Sequence, residues 1–132
     1  SSAASDVYKR QAELEADYYR RTGVYPMHGT IVVKDSVLAE HPWVAKSLYD
    51  AFDRAKREWL ERMRAEGPKN ATEKKYMKLT GIVGPDPLPY GIEENLATIK
   101  ALEETAFRQG LTPRRMRIDE LFVDPARVPE RI

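Results

Sequence analysis

The side chains with the clearest chemical potential cluster in two short, proline-containing loops. His28 sits in YPMHG, just before a β-branched run, and imidazole titrates near neutrality, so it is a candidate general acid or base. Tyr25 in the same loop, and Tyr90 in GPDPLPYG, stand beside prolines in glycine-flanked turns. Aromatic residues so placed can stack on a planar ligand and hydrogen-bond it through the hydroxyl. Asp86, in the second loop, can accept from a ligand hydroxyl or bind a divalent cation; holding a turn before Pro87 is the commoner duty of such an aspartate. Arg20-Arg21 and Arg114-Arg115 have the planar donors that grip carboxylates, although exposed arginines are usually only solvated. His41 precedes Pro42 and reads as a helix-start residue.

The elements that must position these groups are mostly helical. Ala12–Arg21 reads as a helix with acids early and Arg20 and Arg21 late, stopped by Thr22-Gly23 with Gly23 as a left-handed cap. Tyr25 is pushed toward an extended conformation by Pro26, and Gly29 permits close backbone approach or an unusual dihedral. Thr30–Val33 is β-branched or apolar throughout, the pattern of a strand buried on both faces. A lone strand is unstable, and Leu79–Val83, interrupted by Gly81, is only a weak second one. Ser36–Glu40 is a short helical turn, and Pro42 opens a long helix that Gly67-Pro68 ends.

On that long helix Val44, Leu48, Ala51, Phe52, Ala55, Trp59 and Met63 form the expected core face. Asp50, Asp53, Arg54, Lys56, Arg57, Glu58, Glu61 and Arg62 form the expected wet face. Thr72–Leu79 is a weak helix. Ile92–Gln109 is a second long helix, capped by Gly110, with Leu96, Ile99, Leu102 and Ala106 inward. Ile118–Phe122 is a short turn that buries Leu121 and Phe122, and Asp124–Ile132 is an extended tail.

The expected class is therefore α/β, a partial lobe that is mostly helical with one clear buried strand. The 132 residues are enough for one domain with its own core. A net charge of +1 supplies no basic stripe for nucleic acid, and no apolar run reaches the length of a membrane span. The absence of cysteine excludes disulfides and thiolate metal sites. There is no P-loop, GxGxxG, GxSxG or HExxH, so no motif supports a cofactor and no metal site is assigned; a divalent metal is left open. SSAASDVYKRQ at positions 1–11 reads as a non-native or disordered leader outside the fold, with residues 12–132 forming the domain proper.

Three blocks carry a family resemblance, and they occur in its order. They are YYRRTGVYPMHGTIVVKD from Tyr18, EHPWVAKSLYDAFDRAK from Glu40, and GPDPLPYGIEENLATIKALEETAFRQGLTPRRMRIDELF from Gly84. Together they resemble the C-terminal part of 4,5-dihydroxyphthalate decarboxylase-like proteins, which are similar in fold to type II periplasmic binding proteins. The resemblance implies two lobes around a ligand cleft, with the N-terminal part of the fold lying upstream of this sequence.

It implies decarboxylation of a dihydroxylated aromatic dicarboxylate to protocatechuate and carbon dioxide by the whole protein, the fragment alone being inactive. The alternative is a non-catalytic substrate-binding protein of an ABC transporter. The implied partner is a small aromatic carboxylate. The implied compartment is cytoplasmic, or periplasmic if a signal peptide lies upstream. On that reading His28 is the acid and Tyr25, Asp86 and Tyr90 orient the ring.

Overall fold

A computed structural model of the chain describes residues 2–129. Ser1 and the tail beyond Pro129, for which the sequence predicts a leader and an extended end, lie outside the described residues. Among the described residues there are six α-helices: α1 (Ser2–Thr22), α2 (Asp35–Glu40), α3 (Val44–Glu66), α4 (Ala71–Val83), α5 (Leu96–Arg108) and α6 (Ile118–Leu121). A 3-10 turn at Pro125–Arg127 follows.

No strand occurs among the described residues, so the expected α/β lobe with one buried strand is not what the chain forms. The Thr30–Val33 run is irregular; Ile31 is 56% exposed and Val32 86%. The weak second strand over Leu79–Val83 is instead the last part of α4. A β-branched run becomes a strand by packing and pairing on a pleated surface. With its one candidate neighbour taken into a helix, this run has no strand to pair with among the described residues. Gly29 has nothing within 4 Å of the place a Cβ would occupy, contrary to the expected close approach.

Helix ends follow local chemistry. Gly23 takes φ +70° and its N–H donates to the Tyr19 carbonyl at 2.7 Å, closing α1 in the left-handed conformation expected of it. Helical conformation in α1 begins at Ser2, well before Ala12, and every residue from 2 to 15 is exposed. At the start of α4, Asn70 Oδ1 accepts from the Glu73 N–H at 2.9 Å, and Glu73 Oε2 accepts from the Lys69 N–H at 2.6 Å. Two backbone donors without helical partners are thereby satisfied. That cap fixes the start of α4 at Ala71, and the helix runs on to Val83, past the expected Leu79.

The second long helix starts at Leu96 rather than Ile92. The Asn95 amide donates to the carbonyls of Pro89 and Gly91, both at 2.9 Å, and so holds the preceding residues in turns. Likewise α3 begins at Val44, because His41 to Trp43 form a turn behind α2.

The core is small. Among the described residues Ala16, Leu60, Met63 and Ile99 are buried apolar side chains, and Pro87 is also fully enclosed. The buried stripe of α3 is Lys56, Leu60 and Met63, at i, i+4 and i+7. Lys56 was expected on the wet face, and Phe52 on the core face is largely exposed. On α5, Ile99 is buried while Leu102 is 57% exposed, and on α6 Leu121 is exposed rather than buried.

Charge pairs close the remaining joints. Arg115 grips Glu103 of α5 through Nε and Nη2, and the Met116 N–H adds a third donor at 2.6 Å. Arg114 and the Arg117 N–H hold Glu120, whose carboxyl falls to about 2. The basic loop is thus occupied in fastening the C-terminal turn to α5.

This geometry fixes the acid response. The carboxyls of Glu73, Glu103, Asp119 and Glu120 all lie below their ordinary values, held down mainly by hydrogen bonds from Lys69 N–H, Arg115, Arg117 and Arg114 respectively. Groups with depressed folded-state pKa values stabilise the fold above their unfolded-state values and cease to do so as pH falls through the folded values. The melting temperature is therefore expected to be flat near neutrality and to fall between about pH 5 and about pH 2. Circular-dichroism melts across that range check this; a melting temperature that rises on acidification contradicts it.

Candidate functional site

The residues of interest meet where α3 passes the Gly84–Gly91 loop. Lys56 Nζ donates to Asp86 Oδ2 at 2.6 Å and lies 3.3 Å from Asp53 Oδ1, one turn earlier on α3. Its side chain is only 6% exposed. The ammonium also stands 4.7 Å from the centre of the Tyr90 ring, within cation–π range. Asp53 is shared with Arg57, whose Nε lies 3.0 Å from Oδ2. Two cations and two carboxylates thus alternate along one line, Arg57, Asp53, Lys56, Asp86, and their formal charges cancel.

Burial works against the Lys56 ammonium. The hydrogen bond and charge of Asp86, then those of Asp53, outweigh it and raise its pKa above the ordinary lysine value. Lys56 therefore stays charged across the physiological range.

The loop is locked from within. Asp86 Oδ1 accepts from the Leu88 N–H at 2.9 Å, the turn expected of an aspartate at this position. Arg64 Nη2 donates to the Pro85 carbonyl at 2.6 Å, tying the loop to the far end of α3. Gly91 has φ +107°, and a Cβ there would lie 2.5 Å from Glu94 Oε2 and 3.2 Å from the Tyr49 hydroxyl. A side chain at 91 would be strained and would strike both neighbours.

Tyr25 reaches the same loop from the other side. Its hydroxyl donates to the Pro87 carbonyl at 2.8 Å. Its backbone is fixed by one side chain of α5: the Thr98 hydroxyl accepts from the Tyr25 N–H at 2.9 Å and donates to the Tyr25 carbonyl at 2.8 Å. Burial, then the nearby groups Tyr76, Asp86 and Tyr19, raise the Tyr25 phenol above its ordinary value, so it remains a neutral donor.

Beside this cluster lies an open pocket of about 320 Å³, lined by Ala55, Lys56, Trp59, Tyr76, Leu88 and Tyr90. The Trp59 and Tyr76 rings meet edge to face, with centroids 5.5 Å apart. The indole is held by Glu73, which accepts from Trp59 Nε1 at 3.2 Å and also binds Arg62. The same carboxylate that caps α4 therefore sets the orientation of the pocket wall.

The chain thus brings Tyr25, Asp86 and Tyr90 to one loop and leaves His28 outside it. His28 is exposed and makes no hydrogen bond to the described residues. Arg21 pairs with Asp17 along α1, and Arg114 and Arg115 hold Glu120 and Glu103. Lys56, Trp59, Tyr76 and Glu73 are the members that sequence reasoning missed. The Asn70-x-x-Glu73 spacing is a readable cap signal for Glu73. Nothing local distinguishes Lys56 from the other charges of α3. Among the described residues no three His, Asp or Glu converge as metal ligands, and no helix is long and apolar enough to cross a membrane.

No protein-family model matches the chain. It is similar to a 4,5-dihydroxyphthalate decarboxylase of Comamonas testosteroni, with 27% identity over 111 residues that cover 81% of this chain. The chain spans about a third of that relative's length, 34%.

Proposed function

We propose that the chain is part of a decarboxylase-like protein acting on a dihydroxylated aromatic dicarboxylate, 4,5-dihydroxyphthalate or a close analogue. Its aromatic pocket is, in this reading, a ring-binding surface of the complete protein. The observation that carries the reading is that Tyr90, Trp59 and Tyr76 line one pocket with the buried Lys56, which is paired with Asp86, in a chain similar to a protein of that name.

The chemistry needs three things. A proton must be delivered to the ring carbon that bears the departing carboxylate. The hydroxyl para to it must release electron density into the ring, giving a dearomatised intermediate. The bond to the carboxyl carbon then breaks, its electron pair returns to the ring, and carbon dioxide leaves. Aromatic walls hold the ring; the Lys56–Asp86 pair supplies a fixed donor and acceptor for polar substituents. His28 is the proposed proton donor, because an imidazole N–H can be given up to a ring carbon; it has to reach the pocket from its exposed place in the stretch after Tyr25.

The test is carbon dioxide release from 4,5-dihydroxyphthalate by the complete protein that carries this sequence. Release is expected, and His28→Ala is expected to lower turnover by about 10²-fold or more. A complete, folded protein that releases no carbon dioxide overturns the proposal. Unchanged turnover in His28→Ala removes His28 from it.

A further inference from the structure

We infer that the pocket takes the hydroxylated edge of its aromatic ligand, an ortho-dihydroxyarene, and not the carboxylate edge. This rests on the proposed reading of the pocket as a ring-binding surface and says which end of the ligand enters.

Size and walls set the first limit. An apolar cavity of about 150 Å³ already holds benzene, and about 320 Å³ bounded by Trp59, Tyr76, Tyr90 and Leu88 accommodates a substituted ring. Polarity sets the second. Lys56 is the charged member of the lining, and its ammonium is already shared by Asp86 at 2.6 Å and Asp53 at 3.3 Å. Arg57 and Asp53 complete a line of four charges that sums to zero. An entering carboxylate would be a third anion on one ammonium, set against Asp86; a second carboxylate on the same ring would add a further repulsion.

A pair of vicinal hydroxyls meets none of these penalties. Asp86 is 40% exposed and a carboxylate offers about four acceptor positions. Asp86 uses one for the Leu88 N–H and one for Lys56. One ligand hydroxyl can donate to the remaining capacity of Asp86. The oxygen beside it can accept from the Lys56 ammonium, which has three donors and gives one to Asp86. Donor and acceptor sit side by side on the protein, as the two hydroxyls do on the ring. The donated bond also moves electron density from the hydroxyl toward the ring, the direction that protonation of a ring carbon requires.

The experiment titrates the chain separately with catechol and with phthalate, following the indole N–H resonance of Trp59 by NMR. Catechol is expected to bind at least about tenfold more tightly than phthalate, the value of one hydrogen bond to a charged acceptor. Asp86→Asn is expected to erase that difference. Phthalate binding as tightly as catechol, or more tightly, overturns the inference and leaves the ring-binding reading in place. An Asp86→Asn chain that keeps the full preference also overturns it. No shift of Trp59 with either ligand at millimolar concentration overturns both.

Discussion

Met63→Ala is expected to lower the unfolding free energy by about 2–5 kcal/mol, the range for truncating a fully buried methionine or leucine. Met63 is 1% exposed and, with Pro87, one of the largest fully buried side chains among the described residues. It lies one turn beyond Leu60 on the stripe of α3 that faces inward. Domains of this size hold about 5–15 kcal/mol in total, so the loss removes a large share of the stability. Urea denaturation followed by circular dichroism measures the change. Leu102→Ala on α5 provides the contrast: at 57% exposure it should stay within about 0.5 kcal/mol of the parent. If the two variants unfold at the same urea concentration, the centre of packing is not on α3.

Lys56→Met is expected to act on both stability and binding. The substitution keeps the length and the buried stem but removes the cation between Asp86 and Asp53. Breaking a fully buried pair costs about 3–5 kcal/mol. Asp86 is 40% exposed and can turn to water, so a cost of about 1–2 kcal/mol is expected here. Binding suffers more, because the ammonium positions Asp86 and supplies the donor for the second hydroxyl. Catechol affinity should fall by about tenfold or more. Lys56→Arg should not restore it, since a planar guanidinium cannot take the place of a compact ammonium over the Tyr90 ring. Thermal melts and the same NMR titration read both effects. A Lys56→Met chain that binds catechol like the parent would show that the pocket does not use its lysine.

These two residues also mark how far the sequence could be read. Met63 follows from helical periodicity. The ends of α1 and α3 follow from Gly23 and from Gly67 before Pro68, where chain-breaking chemistry is local. Lys56 lies on the same periodicity, yet its burial depends on an aspartate from a distant loop, and that meeting has no local signature. The reverse error occurs at Thr30–Val33, where β-branching describes which surface a residue would fit without creating that surface. Tyr25, Asp86 and Tyr90 drew notice as aromatic and acidic residues in rigid loops. Proline and glycine made those loops stiff enough to be joined by single hydrogen bonds. His28 drew notice by chemistry alone, and chemistry alone does not set position.

The hydroxyl of Thr98 has a further consequence. By accepting from the Tyr25 N–H and donating to its carbonyl, it serves as a one-residue substitute for a neighbouring strand. From Pro26 to Val33 no backbone group bonds to another described residue, and the next anchor is the start of α2. The stretch that carries His28 is therefore a tether with one pin. Whatever positions its histidine has to act between that pin and α2, while Tyr25 keeps its place on the loop throughout.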